Sequence, residues 1–340
     1  MSISRGTILV TGGAGYIGSH ACKALARAGY TPIAYDNLVY GHEWAVKWGP
    51  FVRGDILDRS GLVDAIERYR PQAVMHFAAF AYVGESVTDP AKYYRNNVAG
   101  TLALLEAMQN TRLSRLVFSS TCATYGIPAS LPINENTEQS PVNPYGASKF
   151  MVERILTDFR HAYALDSVAL RYFNAAGADG DCEIGEDHDP ETHLIPLVLD
   201  AASGLRPDIT VFGDDYPTSD GTCIRDYIHV EDLAEAHVVA LTKLERGNAL
   251  PAYNLGTGKG VSVKLLIERA REITGRQIKT VVAARRAGDP PELVADAKLA
   301  MSDLKWTPQH SDIDTILTDA WRWHLKHHVG VKRKNIKAPQ

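Results

Sequence analysis

Tyr145 and Lys149 stand four positions apart at the start of a helical pattern, so they share one helix face. An ammonium beside a phenol favours the phenolate and lowers a pKa that is about 10 in water. A phenol so placed is a usable general base near neutral pH. Upstream, an apolar run ends in Ser119-Ser120-Thr121 and brings hydroxyls to the end of a strand. Nearer the N-terminus, Thr7-Ile8-Leu9-Val10-Thr11 leads at once into Gly12-Gly13-Ala14-Gly15-Tyr16-Ile17-Gly18 and then a helical pattern. A strand that turns straight into a helix gathers backbone N–H groups and the positive end of the helix dipole, which is a pyrophosphate site. Glycines are needed there for the turn, for the approach of the phosphate and for helix-on-strand packing. Asp36 ends the next apolar run, where a carboxylate accepts from ribose hydroxyls and repels a 2′-phosphate. Asn37 follows it, not an Arg that would welcome that phosphate. The residues predict NAD rather than NADP, with Asp55-Ile56 falling where adenine would lie.

The elements that must hold these groups alternate. Strands are predicted at Thr7–Thr11, Thr31–Tyr35, Phe51–Arg53, Ala73–Phe77, Arg115–Ser119 and Ser167–Arg171. Helices are predicted at Ile17–Ala28, Leu62–Tyr69, Ala91–Gln109 and Tyr145–Tyr163. This alternation predicts right-handed βαβ units in a doubly wound parallel sheet of Rossmann type, covered on both faces. Past Gly177 the rhythm breaks: residues 178–192 are rich in Asp, Glu, Gly and His and read as a long loop. Helices at Leu194–Ala202, Val263–Thr274 and Ile313–His327, with strands at Ile209–Phe212 and Tyr253–Leu255, predict a smaller C-terminal α/β substrate domain. The expected division is 1–176 for NAD, 177–328 for substrate, with interleaving of the two left open, and 329–340 as a basic tail.

Composition removes other classes. Of 340 residues, 45% are hydrophobic and 22% charged, as in an ordinary globular chain, and the formal net charge is −4. Nothing in that balance points to nucleic acid or a membrane surface. Cys22, Cys122, Cys182 and Cys223 are far apart and read as reduced thiols, and the N-terminus shows no signal-peptide pattern. A cytoplasmic protein is the expectation. Clustered acids around His188 and His193 read as solvated rather than metal-binding, and His327-His328 as surface residues.

The Gly loop, Ser119-Ser120-Thr121, Tyr145-x-x-x-Lys149 and Arg171-Tyr172-Phe173-Asn174 together resemble the extended short-chain dehydrogenase/reductase family. Val83-Gly84-Glu85-Ser86, Asn96-Asn97, the run Thr218 to His229 and Arg286-Ala287-Gly288-Asp289 are similar to its UDP-hexose 4-epimerase branch. The resemblance covers Thr7 to His324. It implies an NAD-dependent epimerase that inverts C4 of a UDP-hexose, UDP-glucose to and from UDP-galactose, through a transient 4-keto intermediate, in a homodimer. Tyr145 would take the 4-hydroxyl proton, Thr121 would hold the 4-oxygen, and Lys149 would hold the nicotinamide ribose.

The resemblance also implies the binding sets. For the cofactor these are Gly12, Gly15, Tyr16, Ile17, Gly18, Asp36, Asn37, Asp55, Ile56, Phe77, Ala78, Ala79, Asn96 and Phe173, beside Tyr145 and Lys149. For the substrate, Asn174, Arg225 and Arg286 would meet the diphosphate and Phe212 and Asp289 the uridine. Ser86, His193, Leu194, Tyr227 and Leu293 complete that set. Leu293 stands where the family's residue lies beside the sugar C2 substituent: Tyr there closes the pocket and a small residue opens it.

Two departures from the family pattern are Ala81, where several members have a cofactor-contacting Lys, and His193, where many have Asn. Sugar-nucleotide dehydratases follow the catalytic Thr with Asp-Glu; here Cys122-Ala123 follow Thr121. The alternatives are a UDP-arabinose/UDP-xylose 4-epimerase, which the runs Ala81 to Ser86 and Ser119 to Gly126 also resemble, and a non-catalytic NAD-binding regulator.

Overall fold

The computed structural model describes residues 5–247, 251–286 and 288–329. The first strands are β1 (Thr7–Thr11), β2 (Thr31–Asp36), β3 (Phe51–Arg53), β4 (Ala73–His76), β5 (Arg115–Thr121) and β6 (Asp166–Tyr172). The later ones are β7 (Asn174–Ala176), β8 (Ile209–Phe212), β9 (Ile224–His229), β10 (Ala252–Leu255), β11 (Gly260–Ser262), β12 (Thr280–Ala283) and β13 (Glu292–Leu293). Seven of them form a sheet in the order β10-β6-β5-β4-β1-β2-β3, each neighbouring pair parallel. The order reverses at β1, so the crevice for a ligand opens at the carboxyl ends of β1 and β4.

Its strands are near-continuous apolar runs because both faces are covered. On one face Ala21 and Leu25 of the helix Tyr16–Arg27 pack with Leu233, Ala240 and Leu244 of the helix Val230–Glu245. On the other lie Leu62 and Ile66 of Arg59–Tyr69, Leu104 and Met108 of Gly100–Asn110, and Val152 and Leu156 of Pro144–Tyr163. A separate core joins the helices Leu194–Ser203, Val263–Thr274 and Ile313–His324 around Ile209, Val211 and Tyr227. There β9 pairs with β7, β11 and β13, and β8 with β12. No helix of the described residues is long and apolar enough to cross a membrane. The basic tail lies outside the described residues from 330 on.

Several elements differ from expectation. The stretch 91–109 is not one helix: Pro90–Tyr93 runs into a wide π turn at Tyr94–Ala99 before Gly100–Asn110. Such turns often mark functional segments. Here Asn97 is buried, its amide donating to the Phe80 carbonyl and to Ser148 Oγ, both at 3.0 Å, while Asn96 faces the crevice. The strand at 252–255 joins the first sheet beside β6, not the later core. β9 and the helix Val230–Glu245 have no counterpart in the sequence reading because no turn residue separates them. His229 ends the strand and also caps the helix, its ring nitrogen accepting from Glu231 N at 3.1 Å.

The helix Pro144–Tyr163 starts where the sequence calls for it. Asn143 Oδ1 accepts from Gly146 N at 2.8 Å and Pro144 takes the first turn, where no N–H is missed. One turn beyond Lys149, Glu153 meets Arg171 of β6, 9% and 7% exposed respectively. Arg171 Nε and Nη2 donate to the Glu153 carboxylate at 3.0 and 2.6 Å. Ser120 donates to the same carboxylate, and Arg171 Nη1 donates to Tyr125 Oη at 2.9 Å. Removing one partner of a buried pair strands the other charge away from water. Glu153→Ala is therefore expected to destabilise the chain by about 3–5 kcal/mol, read from urea unfolding, with Glu153→Gln losing less.

Candidate active site

At the reversal of the sheet, the Gly loop has no room for side chains. Gly12 sits at φ +73°, and a Cβ on it would lie 2.6 Å from Ala78 N; one on Gly18 would lie 2.0 Å from the Gly12 carbonyl oxygen. The turn is thus pressed against the exit of β4, and the helix against the turn. Gly15 caps the helix Tyr16–Arg27 with no side chain over its end and no acid in the first turn. That end is an open anion cradle. Beside it Asp36 accepts from Ala14 N at 3.0 Å and Leu38 N at 2.8 Å, which leaves lone pairs on both oxygens for ribose hydroxyls. Burial raises its pKa and the two backbone donors pull it back. The chemistry and space of this crevice fit NAD.

One cavity of about 1280 Å³ runs from this cradle to the second core. Drug-sized ligands occupy pockets of roughly 300–1,000 Å³, so this cavity has room for more than one. The cofactor-side residues Gly12, Gly15, Tyr16, Ile17, Gly18, Asp36, Asn37, Ile56, Phe77, Ala78, Ala79, Asn96 and Phe173 line it. Asp55 does not; it sits behind Asn37 and accepts from its amide at 3.1 Å. At the other end Asn174, His193, Leu194, Phe212, Arg225, Tyr227, Arg286, Asp289 and Leu293 line the same cavity. Arg225 is ion-paired to Asp289, and the Arg286 guanidinium lies 4.0 Å over the Phe212 ring. Ser86 is apart from them: fully buried, it donates to the Val83 carbonyl at 2.7 Å. Ala81 lines the wall with no charge to offer, and Lys92 beyond it is held by Glu85 at 2.7 Å. Sequence reasoning missed Arg206, which lines the cavity with Nε buried and without a hydrogen-bond partner. It follows a Gly-terminated helix, where no local pattern distinguishes it from a solvated cation.

Thr121, Tyr145 and Lys149 meet midway along the cavity wall. Here the electrostatics differ from expectation. Lys149, 3% exposed, donates from Nζ to the Ser119 carbonyl at 2.8 Å and lies 4.8 Å from the Phe118 ring centre. Burial pulls its pKa down to about 7, against the opposing pull of Glu153. The Tyr145 phenol is pushed up to about 12, mainly by burial, with the Thr121 hydroxyl holding it down. A nearby ammonium does not by itself acidify this phenol, because desolvation disfavours both charged forms. Next to them Cys122 is buried and pushed up to about 12.

The loop after Gly177 also departs from the solvated reading. Asp179, Asp181 and Glu183 surround Lys23 Nζ at 2.7, 2.9 and 2.6 Å. Glu186 is 8% exposed, and it converges with His188, Glu191 and His193 on the cavity wall. Glu186, His188, Glu191 and His193, with Pro190 and Thr192 between them, face the cavity, which the sequence of this loop, lacking periodicity, does not reveal. His327 is not a free surface residue either; it stacks on Trp323 at 4.5 Å and pairs with Asp187 at 2.9 Å. The side chain of His328 lies outside the described residues. All four cysteines are free and buried.

Known proteins match this geometry. The NAD dependent epimerase/dehydratase family matches residues 8–256. A UDP-glucose 4-epimerase of Rhizobium leguminosarum bv. trifolii is 52% identical, over 94% of this chain and 98% of its own length. The crystal structure of UDP-glucose 4-epimerase from Brucella ovis in complex with NAD is 56% identical with a TM-score of 0.91, over 93% of this chain and 98% of that one. A Stenotrophomonas maltophila UDP-glucose-4-epimerase, solved with NAD and formylated UDP-arabinopyranose, has a TM-score of 0.92 at 40% identity, over 96% and 100% of the two chains. With its Gly cradle, reversed sheet order and Thr–Tyr–Lys wall, the chain belongs to the NAD dependent epimerase/dehydratase family.

Proposed function

We propose that the chain is an NAD-dependent isomerase that inverts C4 of a UDP-hexose, interconverting UDP-glucose and UDP-galactose. Membership of the family and the likeness to UDP-glucose 4-epimerases over nearly the whole chain support this reading. The observation that carries it is one continuous cavity with an anion cradle at one end, two arginines at the other, and Thr121, Tyr145 and Lys149 between. A dehydratase needs an acid and a base beyond its catalytic Thr; Ala123 has no proton to move, and Cys122 holds its own to about 12. A binding-only regulator has no use for the Thr–Tyr–Lys wall.

Bound NAD supplies a reversible acceptor for the C4 hydride and, in its oxidised form, a positive charge. Tyr145 takes the proton of the 4-hydroxyl and returns it, and Thr121 donates to the 4-oxygen and orients it. Burial holds the Tyr145 phenol in its neutral form, so Tyr145 acts as a base once positive charge is gathered beside it. Lys149, fixed on the Ser119 carbonyl, gives part of that charge when protonated. Arg225 and Arg286 hold the diphosphate, Arg being suited to it by its two-pronged donor geometry. Anchored there, the sugar turns over in the roomy middle of the cavity and presents its other face.

Three outcomes are expected. Because the hydride returns to the same sugar, purified protein should carry NAD and interconvert UDP-glucose and UDP-galactose with none added; activity requiring stoichiometric added NADP would refute the assignment. Tyr145→Phe keeps the ring but loses the base, and kcat should fall by at least about 10²–10⁴-fold; near-full kcat in a chemistry-limited assay would place the base elsewhere. Leu293 fills more volume than a small residue but lacks the ring of Tyr, and apolar pockets discriminate by only about 1–3 kcal/mol per methylene. UDP-N-acetylglucosamine should therefore turn over slowly, slower still in Leu293→Tyr and faster in Leu293→Ser. The measurement is kcat/KM for both sugar pairs, with UDP-xylose added to test the pentose reading.

A further inference from the structure

We propose that Glu186, His188, Glu191 and His193 form a site for one divalent cation of the zinc class, with a carboxylate oxygen from each Glu and an imidazole Nδ1 from each His as its donors. One such atom from each residue lies within 4.8 Å of all the others. His188 Nδ1 is 3.3 Å from Glu186 Oε1 and 3.6 Å from Glu191 Oε2, and His193 Nδ1 is 2.9 Å from each carboxylate. Zinc–ligand bonds of about 2.0–2.2 Å give a tetrahedron whose edges are roughly 3.4 Å, and the four imidazole–carboxylate separations lie to either side of that length.

The charge fits as well. The two carboxylates favour the protonated imidazoles beside them, so a divalent ion would bind by displacing those ring protons and would then be balanced by two carboxylates and two neutral imidazoles. Among the described residues no Lys or Arg is ion-paired to Glu186 or Glu191. The neighbouring acids Asp179, Asp181 and Glu183 are unlike them in this respect, since Lys23 already occupies their centre. In the four-residue cluster His188 Nδ1 is buried and faces two carboxylate oxygens at 3.3 and 3.6 Å, longer than ordinary hydrogen bonds. Tyr82 meets both imidazole rings, at 6.0 and 6.2 Å between centres.

Four protein donors close the coordination shell, which is the pattern of a structural ion rather than a catalytic one. Its position gives it a task. Glu186 follows Gly185, which is pressed on the Trp323 ring, and His193 caps the helix whose first residues line the cavity. The ion ties the two ends of the segment 186–193 to the cavity wall.

The test uses the full chain, stripped with chelator, dialysed against zinc and analysed for metal. About one zinc per chain is expected, and cobalt in its place should give the intense visible bands of tetrahedral coordination. His188→Gln and Glu191→Gln should each weaken zinc binding by more than about tenfold, while Asp181→Asn should not. Should a variant fail to fold, the unaltered chain still decides: its melting temperature should rise with zinc and fall with chelator. Substoichiometric zinc, binding unchanged in a His188→Gln/His193→Gln double variant, or a melting temperature indifferent to zinc would overturn the proposal. None of these readings passes through turnover, so they stand or fall apart from the epimerase assignment.

Discussion

A guanidinium buried at the carboxyl end of the sheet has to be neutralised, and the way this chain does so organises its catalytic side. Arg171 is buried, and its partner Glu153 comes from the helix that carries Tyr145 and Lys149. The carboxylate is completed by Ser120, next to Thr121, and by the Gln139 amide at 3.2 Å. Tyr125, which accepts from Arg171, donates in turn to Asn254 of β10 at 2.7 Å. One charge pair therefore sets the helix against β5, β6 and β10 together. Buried networks of this kind cost a great deal when half satisfied, so their members hold one arrangement.

The same burial that fixes the frame sets the chemistry. Desolvation moves Lys149 down and Tyr145 up, each toward its neutral form. The protein by itself thus holds an acid-base pair at rest. On the proposed reading, a ligand in the Gly cradle that brings positive charge favours the Tyr145 phenolate. The Thr121 hydroxyl pulls the phenol's pKa down, and Ala123 N donating to its Oγ1 at 3.1 Å fixes its position.

Beside the apolar core that the two halves of the chain share, charge ties the loop after Gly177 to the first helix. Lys23, on the first helix, reaches three acids of the loop after Gly177, and Tyr16 of the same helix donates to the Gly177 carbonyl at 2.7 Å. Thus the helix that begins at the phosphate cradle also anchors the loop that leads to the substrate side. His42 extends the same seam, facing the Asp187 carbonyl at 2.8 Å. Such contacts hold a loop whose sequence has too few apolar residues to pack itself.

Much of the first half was legible from local pattern, since a strand of Ile, Leu and Val ending in glycines, then a helix, has few other solutions. The Asn143-Pro144 start of the catalytic helix was equally readable, because capping is chemistry between neighbours. The identity of the reaction came from residue types at fixed spacing and from family resemblance, not from periodicity. What only the tertiary structure decided are properties of distant pairs. Arg171 and Glu153 are 18 residues apart, and nothing local marks them as partners. β10 joins the first sheet across a long stretch of other elements, and the directions in which Tyr145 and Lys149 titrate depend on burial that no spacing reveals. The inward turn of Glu186, His188, Glu191 and His193 belongs with these: their types were plain in the sequence, but water or a closed wall around them is a matter of what the rest of the chain places there.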